Sequence, residues 1–510
     1  MSAAHPTTPD VPAATRVVDL VVEHVWHVVH GRAFAFCVAT AAAFVVFFAR
    51  APGAWVTPMF FAEDRKWTSL LLTHGFWHTV FDARPDYAVF GNVAVLWTGV
   101  RLCDLFGGGD PLDIPRWQAL ASYALFAMVV SLPVLLLPGR LPRGTLPAVW
   151  ALGVLMPLGI HDASWSGFEI LGRATNVGFA ALPVAFLLLW VRLTPVAPRP
   201  PWRTALLDAG LLACVATNPM CIVLVPVAAV PIVRSLAAAR SRAALGVVGR
   251  RLARDPDAWS LGMLVVGALA CSGGASAARG DGGLTLPPFE RAVELGLARS
   301  MLYTLTWPIY RWLNTDRTLL LAGIALWLSW RFGRNRHRLL HAGGLALLAV
   351  ASAVLVACRR ELSEILVGYR TTFPDRYFYA QYLVGLPLVA TFAADVAARL
   401  APRGAVARLP LAGLYALVVI AAIREPPWRV PDSQFIVDDD GCFARSAARA
   451  VAARAWRDPA GAPAADGRFV GIPSHPRFPD EILLPRDEVV RAVARRRVAP
   501  RVAAASPAVR

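Results

Sequence analysis

Two acids followed at once by two bases, Glu63, Asp64, Arg65 and Lys66 in "FFAEDRKWTSLL", stand shortly after an apolar run, "AFAFCVATAAAFVVFFA" at 33–49. Carboxylates so placed can take a proton from an attacking hydroxyl. The two are adjacent, so their side chains diverge on a helix or a strand, and one faces any cavity while the other turns away. Asp64 takes slight precedence because it borders the "RKW" that follows. A second stretch, "GYRTTFPDRYFYAQYL" at 368–383, supplies the opposite charge. Its Arg370 and Arg376 carry guanidinium groups that match phosphate oxygens in pairs, and Tyr377 and Tyr379 offer ring faces to a sugar or anchors at a headgroup layer. A third, "FEILGRATN" at 168–176, sets Glu169 and Asn176 on one helix face if Gly172 does not interrupt it, with hydrogen-bonding capacity for a hydroxylated ligand. Each stretch also has a plainer reading. The acids pair locally with Arg65, Lys66 or lipid headgroups, the arginines and tyrosines form a belt at a helix start, and Glu169 and Asn176 mark a polar helix end.

The elements that must hold these residues are membrane helices. The chain of 510 residues is 56% apolar and only 17% charged, and several runs approach the roughly 20 apolar residues that cross a bilayer. Its formal charge of +17 excludes little by itself. The arginines cluster in short segments between apolar runs, which is topology rather than a nucleic-acid surface. The seven cysteines are scattered without a CxxC pair, so neither a disulfide framework nor a zinc site is indicated. "THGFWH" places His74 and His78 four apart, without the acid of a zinc-protease motif, and "GGGD" at 107–110 lacks the Lys-Ser/Thr of a phosphate loop. "DDDGC" at 438–442 reads as a solvated turn, because the alternating ligands of a calcium loop are missing.

The pattern predicts an all-α integral membrane protein with about eleven transmembrane helices, at 33–49, 118–138, 145–161, 176–193, 204–216, 219–236, 258–274, 317–330, 339–358, 376–398 and 409–424. Two further runs, 86–102 and 296–313, suit an interface as well as a span. The arginine-rich loops at 234–254, 331–338 and 399–408 belong on the cytoplasmic side by the positive-inside rule. That choice puts a tail at 1–32 in the cytoplasm, the loop 50–117 outside with interfacial helices, a small extracytoplasmic region at 425–490, and a basic flexible tail at 491–510. The N-terminus lacks the basic and cleavage regions of a removed signal peptide, so the first span serves as the insertion signal.

Under this topology "FAEDRKW", "FEILGRATN", "TNP" at 217–219 and "GYRTTFPDRYFYAQYL" share one side of the membrane. Together they resemble the polytopic bacterial glycosyltransferases of the GT-C superfamily, in layout over 33–424 and in detail only over these short motifs. The resemblance implies a sugar donor carried on polyprenyl phosphate, an envelope glycan or lipid acceptor, and an active site on the extracytoplasmic face of the bacterial inner membrane. It implies Asp64 or Glu63 as general base, Arg370 and Arg376 at the donor phosphate, and Glu169, Asn176, Tyr377 and Tyr379 around sugar or acceptor. It allows a divalent cation at Glu63 or Asp64, although no motif here demands one, and it gives no role to nucleic acid. A lipid or polysaccharide transporter or flippase is the alternative, with the same polar groups lining a pathway. An envelope glycan polymerase or ligase is a third.

Overall fold

The computed structural model describes residues 13–56, 58, 60, 63–84, 87–141, 144–156, 170–194, 200–229, 233, 262, 264–267, 288–333, 335–358, 375–424, 442–475 and 478–498. Helix α1 (Ala13–Arg50) begins far ahead of the expected span. No proline or glycine interrupts "VVDLVVEHVWHVVH", so part of the segment read as an N-terminal tail is helix. A single turn, α2 (Gly53–Val56), leads to α3 (Glu63–His74), α4 (Phe76–Asp82) and α5 (Phe90–Phe106). Then come α6 (Ile114–Leu136), α7 (Leu146–Leu155), α8 (Gly178–Leu193) and α9 (Pro201–Thr217).

After an irregular rod over 289–312, whose Glu294–Leu302 portion is π-helical, follow α10 (Thr315–Phe332), α11 (Asn335–Cys358), α12 (Tyr379–Leu400) and α13 (Leu409–Arg424). Five stretches are long and apolar enough to cross a membrane: Gly31–Arg50, Pro111–Leu136, Ala174–Leu193, Tyr379–Leu400 and Gly404–Arg424. Leu146–Leu155, Pro219–Ala229 and Leu340–Val354 are apolar but shorter. The protein is therefore a helical membrane protein. Much of the expected span at 258–274 lies outside the described residues.

Contacts between helix ends show how the bundle alternates. At one end, Arg50 at the close of α1 donates to the carbonyls of Val154 (2.5 Å) and Met156 (3.3 Å) at the close of α7, and Tyr123 of α6 donates to the carbonyl of Ala51. At the opposite end, Arg140 donates to Thr194 beyond α8, and Tyr415 near the start of α13 donates to Gly144 before α7. Among the described residues, helix α5 meets elements of the first of these ends: Gly91 lies against Thr217, Asn92 against Gly178, and Gly99 against Gln118.

The C-terminal region adds a small sheet to the helical body. Helix α14 (Cys442–Ala452) precedes an antiparallel sheet of order β1-β2-β3, with β1 (Trp456–Arg457), β2 (Phe469–His475) and β3 (Phe478–Pro485), and α15 (Arg486–Val498) closes the unit. Val470, Ile472, Ile482 and Leu484 alternate inward along β2 and β3 and meet Val489, Ala492 and Val493 of α15. That helix also overruns the boundary expected at 491, because its apolar stripe pins residues that composition alone made a flexible tail. Phe60, Cys103, Leu112 and Ile114 complete the same core, so the unit is built jointly with the segment after α1. Leu483 N–H donates to Ser69 Oγ at 2.9 Å, and Arg496 pairs with Asp110 and Asp113. Both contacts place the unit at the Arg50 end.

Candidate functional site

The buried face of α3 carries Asp64, Trp67, Thr68 and Leu71, the i, i+3, i+4, i+7 stripe of an amphipathic helix. That periodicity turns Asp64 inward. Glu63 falls off the stripe, and its carboxylate stays half-exposed 3.9 Å from Arg84. Both acids sit in the first turn, where the helix dipole favours negative charge.

Asp64 Oδ1 accepts the backbone N–H of Thr175 at 2.6 Å and its hydroxyl as well. Thr175 belongs to a short 3-10 turn, Ala174–Val177, just before α8. From the other side, Asn92 of α5 donates to the carbonyls of Ala174 (2.9 Å) and Thr175 (2.6 Å). Gly172 makes the sharp approach to this turn possible. Its φ is +75°, and a Cβ there would lie 2.8 Å from both Ala54 and Tyr123. The helix imagined through 169–176 is interrupted at that glycine.

Burial pushes the Asp64 carboxyl up from 3.8 to about 6. The Thr175 hydrogen bonds and the nearby Arg173 charge pull it down, and Glu63 adds a smaller push upward. An acid with that balance is half-ionised near pH 6 and largely ionised at neutrality, where it is able to accept a proton.

The other motifs meet the same end of the bundle. Asn218 of "TNP" donates to the carbonyl of Gly178 at 3.0 Å, and Thr217 Oγ1 accepts from Gly91 N–H at 2.9 Å. Tyr377 meets Phe179 edge to face at 5.2 Å, and Tyr379 meets Phe126 likewise at 5.5 Å. Asn176, Tyr377 and Tyr379 are all buried. Both tyrosines are thus packed within the protein end, not set out as a headgroup belt. Glu169 and Arg370 lie outside the described residues. Arg376 falls in the turn Asp375–Phe378, and its side chain is likewise outside them.

Three cations of this region carried no role in the sequence reasoning. Arg50 and Arg173 flank the first span and the Thr175 turn, and Arg299 is fully buried with its guanidinium 4.9 Å over the Phe378 ring. An arginine beside an apolar run reads as a topology signal, so its burial against a distant element leaves no local mark. Asn92 was hidden in the same way, inside a run whose interior polar groups had several uses. His74 and His78 stack at 4.6 Å, and His78 turns to Asp82 at 2.9 Å. Among the described residues no group of three His, Cys, Asp or Glu side chains converges as a metal site, at Asp64 or elsewhere.

Fold and site together define a helical membrane protein with a buried acid and buried arginines gathered toward one end of its bundle. Neither a family model, nor a curated protein, nor a solved structure matches the chain.

Proposed function

We propose that the protein is a GT-C-type glycosyltransferase of the bacterial inner membrane, moving a sugar from a polyprenyl-phosphate donor to an envelope glycan or lipid acceptor. The observation that supports this reading is Asp64, a buried carboxyl brought to about 6 and joined to the turn that follows Arg173. In the proposed reaction Asp64 takes the proton of the acceptor hydroxyl. The freed oxygen attacks the anomeric carbon from the face opposite the phosphate, the carbon–oxygen bond to phosphate breaks, and its electron pair leaves with polyprenyl phosphate. The anomeric configuration inverts. Negative charge grows on the departing phosphate, and guanidinium groups stabilise it there. Arg370 and Arg376 take that role in this reading, with the buried Arg299 behind Phe378. Asn176, Tyr377, Tyr379 and Glu169 hold sugar or acceptor.

The full topology belongs to the same proposal. Eleven spans, the N-terminus inside, and the site on the extracytoplasmic face fit α4 and α5 lying along the membrane surface, where Trp77, Phe81 and Trp97 are exposed. Proteoliposomes supplied with polyprenyl-phosphate hexoses and pentoses and an envelope glycan acceptor test the function. Formation of a new glycosidic bond, lost in Asp64→Asn, is the expected result. Donor lipid that crosses the bilayer without any new bond would instead make the protein a transporter.

A further inference from the structure

A cavity of about 240 Å³ lies between α10, α11, α12 and the rod at 289–312. Its walls are almost wholly apolar, among them Leu302, Leu328, Leu345 and Phe392. Two lining residues, Leu305 and Ile324, are also 41% and 43% exposed, so the cavity opens sideways to the surface that faces hydrocarbon in a membrane protein. Along α12 it runs from Gly385 to Phe392, about 10 Å of helix. An apolar slot of this kind, opening toward a bilayer, takes up hydrocarbon rather than water.

The charge lies beyond one end of the slot. Arg338 stands one turn before the lining residue His341 on α11, and Arg399 stands two turns beyond Phe392 on α12. Both guanidinium groups meet at the α10–α11 turn, where Arg338 Nε donates to the Gly333 carbonyl at 2.5 Å and Arg399 Nη2 at 3.5 Å. Each spends one of its five N–H groups there. Arg331 extends the positive patch, Asp395 lies one turn before Arg399, and Trp330 is 74% exposed with Arg338 5.6 Å from its ring. An exposed tryptophan among arginines at a helix end marks the headgroup level, and basic clefts between helices at that level take anionic headgroups.

We infer that this is a binding site for an anionic glycerophospholipid, with its phosphate on Arg338 and Arg399 and one acyl chain in the slot lined by Leu345 and Phe392. The site lies toward the Gly333 end of the bundle, away from Asp64, and does not depend on the proposed reaction. Its charge complementarity selects an anionic over a zwitterionic lipid, and its slot requires a chain as well as a phosphate.

The test uses the full chain in detergent after lipid removal, with dioleoyl phosphatidylglycerol, dioleoyl phosphatidylcholine, glycerol phosphate and polyprenyl phosphate added separately. Native mass spectrometry reads retention, and thermal unfolding reads stabilisation. Phosphatidylglycerol should be retained at least tenfold more tightly than phosphatidylcholine, and glycerol phosphate should do nothing. Arg338→Gln with Arg399→Gln should erase the preference, the paired lysine replacements should keep most of it, and Ala325→Phe, which fills the slot, should reduce retention with the arginines intact. Equal retention of the two phospholipids would overturn the inference, as would displacement of phosphatidylglycerol by equimolar polyprenyl phosphate. Unchanged retention in both the paired glutamine variant and Ala325→Phe would do the same.

Discussion

Asp64 and Asp208 are both buried acids, and the bundle holds them in opposite ways. Asp208 of α9 meets Arg192 of α8 at 3.3 Å, a charge pair that locks two neighbouring helices. Asp64 is held instead by the neutral hydroxyl and amide of Thr175, with the Arg173 charge acting alongside. A buried acid in direct contact with an arginine serves packing. One whose contacts are hydrogen bonds from a neutral residue stays near its titration point and is able to exchange a proton.

The comparison breaks most visibly at the ion pair. Asp208→Ala removes the carboxylate that meets the buried Arg192 guanidinium, so it should cost about 3 to 5 kcal/mol of stability, measured by unfolding in detergent, without changing the pH dependence of turnover. Asp64→Asn should act in the reverse direction. Between 3.8 and about 6 the folded chain holds a proton that the unfolded chain has released. The stability from the protonated acid is therefore complete below 3.8 and is lost as pH rises through about 6, some 3 kcal/mol by neutrality at 1.36 kcal/mol per unit. The asparagine keeps an oxygen for Thr175 and carries no charge, so at pH 7.5 the variant should unfold at a higher temperature than the wild type, with the gap closing toward pH 4. A lower unfolding temperature at pH 7.5 would make Asp64 a second Asp208.

Smaller changes sharpen the contrast. Thr175→Val removes a hydroxyl that favours the ionised form, a bond of about 1.5 to 3 kcal/mol when the acceptor is charged, and the acid limb of the pH–rate profile should move to higher pH. Glu63→Gln touches a half-exposed carboxylate with Arg84 3.9 Å away, so it should shift stability by about 0 to 1 kcal/mol and turnover by less than about tenfold. A larger loss of turnover at Glu63 would exchange the roles of the two acids.

Much of this arrangement was legible along the chain. The four motifs stood on one side by counting apolar runs and arginine loops, and the structure brings the described parts of all four to one bundle end. The preference for Asp64 over Glu63 rested on its place beside "RKW", and the stripe that turns it inward with Trp67 and Leu71 is seen in the structure. What stayed hidden depends on contacts between distant segments. The strands "FVGIPSH" and "FPDEILLP" mix prolines and polar residues with their apolar ones, so they read as turns, and their antiparallel pairing makes the sheet. Phe60 and Cys103 showed no sign of belonging to a core completed more than 300 residues later. Arg192 carries no local mark of a packing role, and only the pairing of α8 with α9 brings it to Asp208.

The claim that Asp64 is the base is tested most directly by turnover of wild type and Asp64→Asn, reconstituted with a polyprenyl-phosphate sugar and acceptor, across pH 5 to 8. The wild type should gain activity through an acid limb near 6, where the buried carboxyl ionises. The variant should show no such limb and run about 10² to 10⁴ slower at neutral pH. An Asp64→Asn enzyme within tenfold of wild type, with the acid limb still in place, would contradict the account.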